Sequence, residues 1–227
     1  RVIENASGYA NLKWQCTKRN ARKAYNHLSP GRQYKGVPYN FGGFDSTEIF
    51  IRKIKKGIIA GNTKKRCGKY LCTFRGFAGL DCSGLVSRCL EIGRYSTSTF
   101  QGISIKIPRE LLRQGDILNS VNKHVMLFDK FDDENQMWVY EAATWIRSKN
   151  TPPAGVVYRS VDLGDDYAPR RYYKFIGRGE RIKANRTIVA INRLGGKEKQ
   201  YIPSGTKGVI MEGPTVRDNR RGTEFPT

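Results

Sequence analysis

A chain of 227 residues is long enough for one full hydrophobic core plus a small appendage. A hydrophobic fraction of 38% with 24 glycines suits a loop-rich globular protein, and no apolar run approaches the ~20 residues of a bilayer-spanning helix. The net charge of +21 disfavours cationic partners and draws polyanions at long range.

Taken in chain order, residues 1–13 read as irregular, and the first residue is Arg1 with no signal-peptide pattern behind it, which fits a processed or trimmed chain. Residues 17–28 carry Ala21, Ala24, Tyr25 and Leu28 at helical spacing, so a basic helix is predicted there, ended by Ser29-Pro30-Gly31. Together, residues 1–29 form a basic N-terminal helical segment. A second basic helix is expected over 46–56, with Ile49, Phe50 and Ile54 on one side. Residues 61–80 are rich in Gly and Lys and read as a loop. A third helix starts at Cys82 and stops near Ile92, before Gly93.

From residue 116 the pattern changes. Ile117-Leu118, His124–Phe128, Met137–Ala143, Val156–Val161 and Arg171–Ile176 are short runs rich in β-branched and aromatic residues, separated by polar turns such as Asp132-Asp133-Glu134-Asn135. Helices first and antiparallel strands after predict an α+β fold. Residues 181–227 stand apart as a small β-rich extension, with strand candidates at Thr187–Asn192, Gln200–Ile202 and Val209–Met211.

The stretch Asp81-Cys82-Ser83-Gly84 carries the chemistry. It sets a thiol at a helix start, where the helix dipole favours the thiolate, the nucleophilic form. Only two histidines exist. His124 opens the strand His-Val-Met-Leu-Phe and is the candidate general base, since an imidazole titrating near ~6.5 can take a thiol proton and return it to a leaving amine. His27 falls in the basic N-terminal segment with no motif around it and reads as a surface residue. Glu141, on the strand Met137–Ala143, is the candidate orienter of His124 by the logic of a Ser-His-Asp triad, with Asp129 its rival. Asp81 is also a good helix N-cap, and the N–H of Cys82 a natural oxyanion donor. Asp116 reads as a turn residue, Cys89 as core, and Trp14, Trp138 and Trp145 as core or groove walls.

On these residues the chain resembles the NlpC/P60 cell-wall peptidases, which are papain-like cysteine hydrolases. The resemblance spans roughly residues 30–180. It rests on Gly36-Val37-Pro38-Tyr39-Asn40-Phe41-Gly42-Gly43, Asp81-Cys82-Ser83-Gly84, Gln114-Gly115-Asp116-Ile117-Leu118, His124-Val125 and Tyr140-Glu141-Ala142, in that order. It implies a papain-like fold in residues 30–180, with the nucleophile helix packed on an antiparallel sheet and an insertion at about 44–80. It also implies the triad Cys82, His124 and Glu141, and substrate contacts from Tyr39, Asp81 and Ser83. The implied activity is an endopeptidase for peptidoglycan stem peptides, at the γ-D-glutamyl to diamino-acid bond, with no cofactor or metal. The implied place is secreted or in the cell envelope, and residues 181–227 fit either part of a small SH3-like barrel, a wall-binding module that often accompanies the family, or a strand extension of the main domain. Two departures stand out: the distance from Gly43 to Asp81 is long, and Glu141 stands where His, Asn or Gln is usual.

Residues 1–80 hold 17 Lys/Arg against 3 Asp/Glu, residues 81–180 hold 14 against 13, and residues 181–227 hold 10 against 4. The basic excess therefore sits at both ends, including Arg52-Lys53-Ile54-Lys55-Lys56 and Lys64-Lys65-Arg66, and fits docking to peptidoglycan or another anionic envelope polymer. No base-reading motif for nucleic acid is present. Cys67 and Cys72 have hairpin-like spacing that suits either a disulfide outside the cytosol or two free thiols, and is loose for zinc. Two other functions fit the residues: a Cys-His amidase or acyltransferase on a non-peptidoglycan substrate, and a basic polyanion-binding protein with a vestigial site.

Overall fold

The computed structural model describes residues 1–23, 25–64, 66–67, 70–71, 76–146 and 151–175, with the strand segments 181–183, 188–191, 199–202, 207–209, 217–218 and 223–224. Its contacts divide into two units, Arg1–Arg170 and Arg171–Thr227. Among the described residues the architecture is α+β, with three α-helices and an antiparallel sheet, and no helix is long and apolar enough to cross a membrane.

The first helix, α1, runs Val2–Asn11 and buries Ala6, Tyr9 and Ala10. The N-terminal helix expected over 17–28 is not formed: its described residues make turns, and the helix lies upstream in the stretch read as irregular. Asparagines explain the difference. Asn20 accepts from the Thr17 N–H at 3.0 Å and the Thr17 hydroxyl at 2.7 Å, and donates to the carbonyls of Ile54 and Ile58. Asn26 accepts from the Arg22 N–H at 3.0 Å and donates to the Ala60 carbonyl at 2.7 Å. Side-chain amides that bond the backbone in this way compete with the helical ladder.

After the hairpin of β1 (Lys13–Gln15) and β2 (Gln33–Lys35), α2 spans Thr47–Lys55 inside the expected insertion. Ser46 caps it by accepting from the Ile49 N–H at 3.2 Å, Glu48 sits in its first turn, and Arg52, Lys53 and Lys55 in its last, each matched to the helix dipole. Phe50 and Ile54 are its buried face. The rest of the insertion returns through β3 (Ile59–Ala60), the hairpin of β4 (Arg66–Cys67) and β5 (Tyr70–Leu71), and β6 (Phe77–Ala78), which pairs in parallel with β3. Helix α3, Cys82–Cys89, follows, and all but Arg88 of its residues are buried.

Six strands make the main sheet: β7 (Ser104–Lys106), β8 (Ile117–Ser120), β9 (His124–Phe131), β10 (Met137–Ala143), β11 (Gly155–Val161) and β12 (Ala168–Tyr172), in the spatial order β11-β10-β9-β8-β12-β7. A tight turn at Asn122, in the left-handed region at φ 61°, brings Ser120 opposite His124. Alternation puts Met126 and Phe128 on the face that His124 shares, and Met137 and Val139 on the face of Glu141. With Leu118 these four form a buried cluster covered by Leu112, Leu163 and Tyr167.

The strand expected over Arg171–Ile176 begins earlier, at Ala168, and gives way to a 3-10 turn at Tyr173–Phe175. Pro169 is accommodated within it because its carbonyl, not its missing N–H, makes the bond, accepting from the Ile107 N–H at 3.0 Å. Among the described residues of the second unit there are three two-stranded antiparallel pairs: Arg181–Lys183 with Lys207–Val209, Ile188–Ile191 with Lys199–Ile202, and Arg217–Asp218 with Thr223–Glu224. The possible Cys67–Cys72 disulfide lies outside the residues whose side chains are described.

Candidate active site

Two chain segments meet at the start of α3 because both lack side chains where they touch. A Cβ on Gly84 would stand 2.4 Å from the Gly43 carbonyl oxygen, and one on Gly79, at φ +136°, 2.2 Å from the Pro38 carbonyl oxygen. The segment 36–43 therefore lies directly against the first turn of α3. Asp81 ties the junction together. Its Oδ1 accepts from the Gly84 N–H at 2.6 Å and the Ser83 hydroxyl at 2.9 Å. Its Oδ2 accepts from the Gly42 N–H at 3.0 Å and pairs with the Arg94 guanidinium at 2.8 Å, while Arg94 also donates to the Gly42 carbonyl. Asp81 is thus the N-cap of α3, and the Asp81–Ser83 pair is engaged within the helix start.

Cys82 is the first residue of α3 and is 7% exposed. Its thiol lies beside the His124 imidazole and the Tyr39 hydroxyl, near enough to shift the proton affinity of both. His124, at the start of β9, turns its Nε2 to Glu141 Oε2 at 2.6 Å, leaving Nδ1 for the thiol. Glu141 reaches it from β10, and its second oxygen, Oε1, accepts from Arg159 Nε on β11 at 2.6 Å. Tyr167 stands edge-on to the His124 ring at 6.5 Å.

Burial works against charge on His124, but hydrogen bonds to Cys82 and Glu141, and their charges, raise the imidazole to about 9. Burial likewise opposes the Glu141 carboxylate, yet the hydrogen bond and charge of His124 and the charge of Arg159 hold it below the usual range. Tyr39 is pushed up, first by burial and then by the neighbouring Cys82 and Asp81. The pattern is a row of polar groups, Tyr39, Cys82, His124, Glu141 and Arg159, that runs from the buried interior to the half-exposed guanidinium of Arg159.

The sequence-derived candidates Cys82, His124, Glu141 and Tyr39 come together here. Asp129, the rival orienter, is turned away, bonded to Gln114 Nε2 and the Tyr158 hydroxyl, each at 2.7 Å. Asp116 is buried in a turn, accepting from the Arg113 N–H at 2.8 Å, and Cys89 is core. Trp14 is core, whereas Trp145 is 63% exposed. Arg159, Tyr167 and Arg94 were not among the candidates. Alternation could have suggested Arg159, because Val157 lies opposite Glu141 and Arg159 is two residues along the same face. Beside Tyr39 opens a groove of about 420 Å³ walled by Tyr25, His27, Asn62, Thr144, Trp145 and Pro153.

Fold and site together define an α+β protein with a helix-borne cysteine, a strand-borne histidine and a buried glutamate in hydrogen-bond sequence. No family model matches the chain, and neither a curated protein nor a solved structure matches it.

Proposed function

We propose that this protein is a cysteine endopeptidase of the cell envelope, with a papain-like NlpC/P60 fold, that cuts an amide in peptidoglycan stem peptides at the γ-D-glutamyl to diamino-acid bond. One observation carries the reading: Cys82 opens α3 in contact with His124, whose far nitrogen is held 2.6 Å from Glu141. That is the order nucleophile, base, orienter that covalent acyl transfer requires. The motif order along the chain supports the wall peptide as substrate.

In the reaction the Cys82 thiol passes its proton to His124 and the sulfur attacks the amide carbon, and the oxyanion meets the Cys82 N–H, which at a helix start has no intrahelical acceptor. The imidazolium of His124 gives its proton to the leaving amine as the C–N bond breaks. A water then attacks the thioester, passing a proton to His124, and the acid leaves as the thiol re-forms. The groove beside Tyr39 provides room for one flank of the peptide, with Tyr39, Asn62 and Thr144 among its polar walls, and Asp81 and Ser83 act on substrate through the helix start that they hold together. The basic ends, including the β-rich extension, hold the enzyme on an anionic wall.

The test is digestion of purified peptidoglycan by wild type and Cys82→Ala, with mass spectrometry of the released fragments. Fragments with new termini at the stem-peptide amide, found with wild type alone, are the expected result. No fragments from several wall chemistries, with Cys82 still reactive to an electrophile, would move the assignment to an amidase or acyltransferase on another substrate.

A further inference from the structure

We propose that Arg159 is a positioning residue of this site, fixing and charge-balancing Glu141 so that Glu141 can anchor the His124 ring throughout the reaction. The inference rests on reading Cys82 and His124 as nucleophile and base, and it explains why a glutamate can occupy the third position.

Glu141 is 3% exposed and receives two bonds of 2.6 Å, one on each oxygen. His124 is a partner whose charge must come and go as it gives up and regains a proton. A buried carboxylate left beside a neutral imidazole would be an uncompensated charge, which is costly, and it would tend to take a proton itself. A protonated Glu141 could then turn and release the ring. Arg159 removes that weakness, because a guanidinium stays charged at every pH the enzyme meets. With Oε1 held by Arg159, Glu141 stays ionised when His124 is neutral. The neutral ring then keeps its proton on Nε2, toward Glu141, and presents Nδ1 to the thiol.

The sheet builds this contact. Glu141 lies opposite Val157 in the β10–β11 register, and Arg159, opposite Val139, is the diagonal neighbour on the same face. The Arg159 side chain is 48% exposed, so it neutralises the buried carboxylate without itself being taken fully out of water.

The charged and titratable groups around Glu141 are few. His124 faces it from β9 and Arg159 from β11, and Cys82 stands beyond the imidazole on α3. Tyr167, after β11, is raised to about 12, first by burial and then by the charge of Glu141. Asp166 beside it is occupied by the Ser120 hydroxyl at 2.8 Å and Lys123 at 3.1 Å. Arg159 is thus the permanent cation in direct contact with the carboxylate among the described residues.

The experiment needs no substrate. The full-length protein is alkylated with iodoacetamide across a pH series, and labelling of the Cys82 peptide is followed by mass spectrometry. Wild type is compared with Arg159→Lys, Arg159→Gln, Glu141→Gln and Glu141→Gln/Arg159→Gln. Without Arg159, Glu141 protonates more readily and the imidazolium loses its counter-ion. Arg159→Gln is expected to move the acid limb of Cys82 alkylation upward by about one pH unit. Arg159→Lys should return the profile most of the way to wild type, and Arg159→Gln should add nothing in the Glu141→Gln background. Arg159→Met keeps the apolar stem and gives the same readout if the Gln variant does not fold. An Arg159→Gln profile superimposed on wild type, or an equal shift in the Glu141→Gln background, overturns the assignment of Arg159 alone. Wild-type Cys82 alkylating no faster than free cysteine overturns the catalytic reading and this assignment with it.

Discussion

Cys82, His124 and Glu141 form a chain of contacts in which each group changes the proton affinity of the next. For His124 the partners outweigh the burial, so its folded-state value of about 9 lies above the ~6.5 of an imidazole in water. A group that binds its proton more tightly when folded stabilises the fold wherever that proton is bound. The contribution is full below about pH 6.5 and is lost as pH rises through about 9. The melting temperature of wild type should therefore exceed that of His124→Gln most at about pH 6, with the gap narrowing steadily to about pH 10. Scanning fluorimetry in a buffer series reads this directly. A gap of constant size across the series would mean that the ring is held by packing and not by its charge.

At the level of elements, the decisive contact is the crossing of the 36–43 segment over the first turn of α3. Gly84 lies within α3, where alanine would ordinarily gain about 1 kcal/mol in helix propensity. Here the added methyl would lie 2.4 Å from the Gly43 carbonyl oxygen, which is backbone and cannot swing aside. Overpacking of this kind costs about 1–3 kcal/mol, so Gly84→Ala should lower the urea midpoint despite the better helix former. It should also slow Cys82 alkylation, since Tyr39 and the helix start must part. An unchanged midpoint would show that the two segments slide freely.

The elements also show what a sequence makes legible. Strand β10 has the bounds Met137–Ala143 that its aromatic and β-branched run announces, and α2 and α3 begin at the capping residues Ser46 and Asp81. The nearness of Cys82, His124 and Glu141 could be anticipated because each sits at a marked place on its element. The turns at 17–28 could not, because Asn20 and Asn26 spend their amides on carbonyls more than thirty residues away, at Ile54, Ile58 and Ala60. Arg159 was hidden for a related reason. Its importance depends on the β10–β11 register, and a lone arginine on a strand otherwise reads as a solvent-facing residue.

For the molecule as a whole, a charge of +21 acts at a distance, and the fold decides which cations remain available for it. Lys53 is withdrawn, since its ammonium is held by Asp45 at 2.7 Å and the Phe77 carbonyl at 3.1 Å. Arg52, Lys55 and Lys56 on the same helix end stay exposed. Arg159 and Arg94 are likewise taken up by Glu141 and Asp81. What remains is a field of exposed basic residues which, under the proposed function, increases contact with an anionic polymer without taking part in bond cleavage. Salt separates these two contributions, because screening shortens from about 10 Å at 0.1 M to about 3 Å at 1 M, while buried contacts are screened much less. Digestion of intact wall should fall roughly tenfold or more between about 0.05 M and about 1 M salt, as the long-range attraction is lost. Alkylation of Cys82 by neutral iodoacetamide should stay nearly constant over the same range, since its partners Tyr39, His124 and Glu141 lie out of bulk water. If both rates fell together, salt would be acting on the site itself. If neither fell, the basic excess would serve solubility, and recognition of the wall would rest on the groove beside Tyr39.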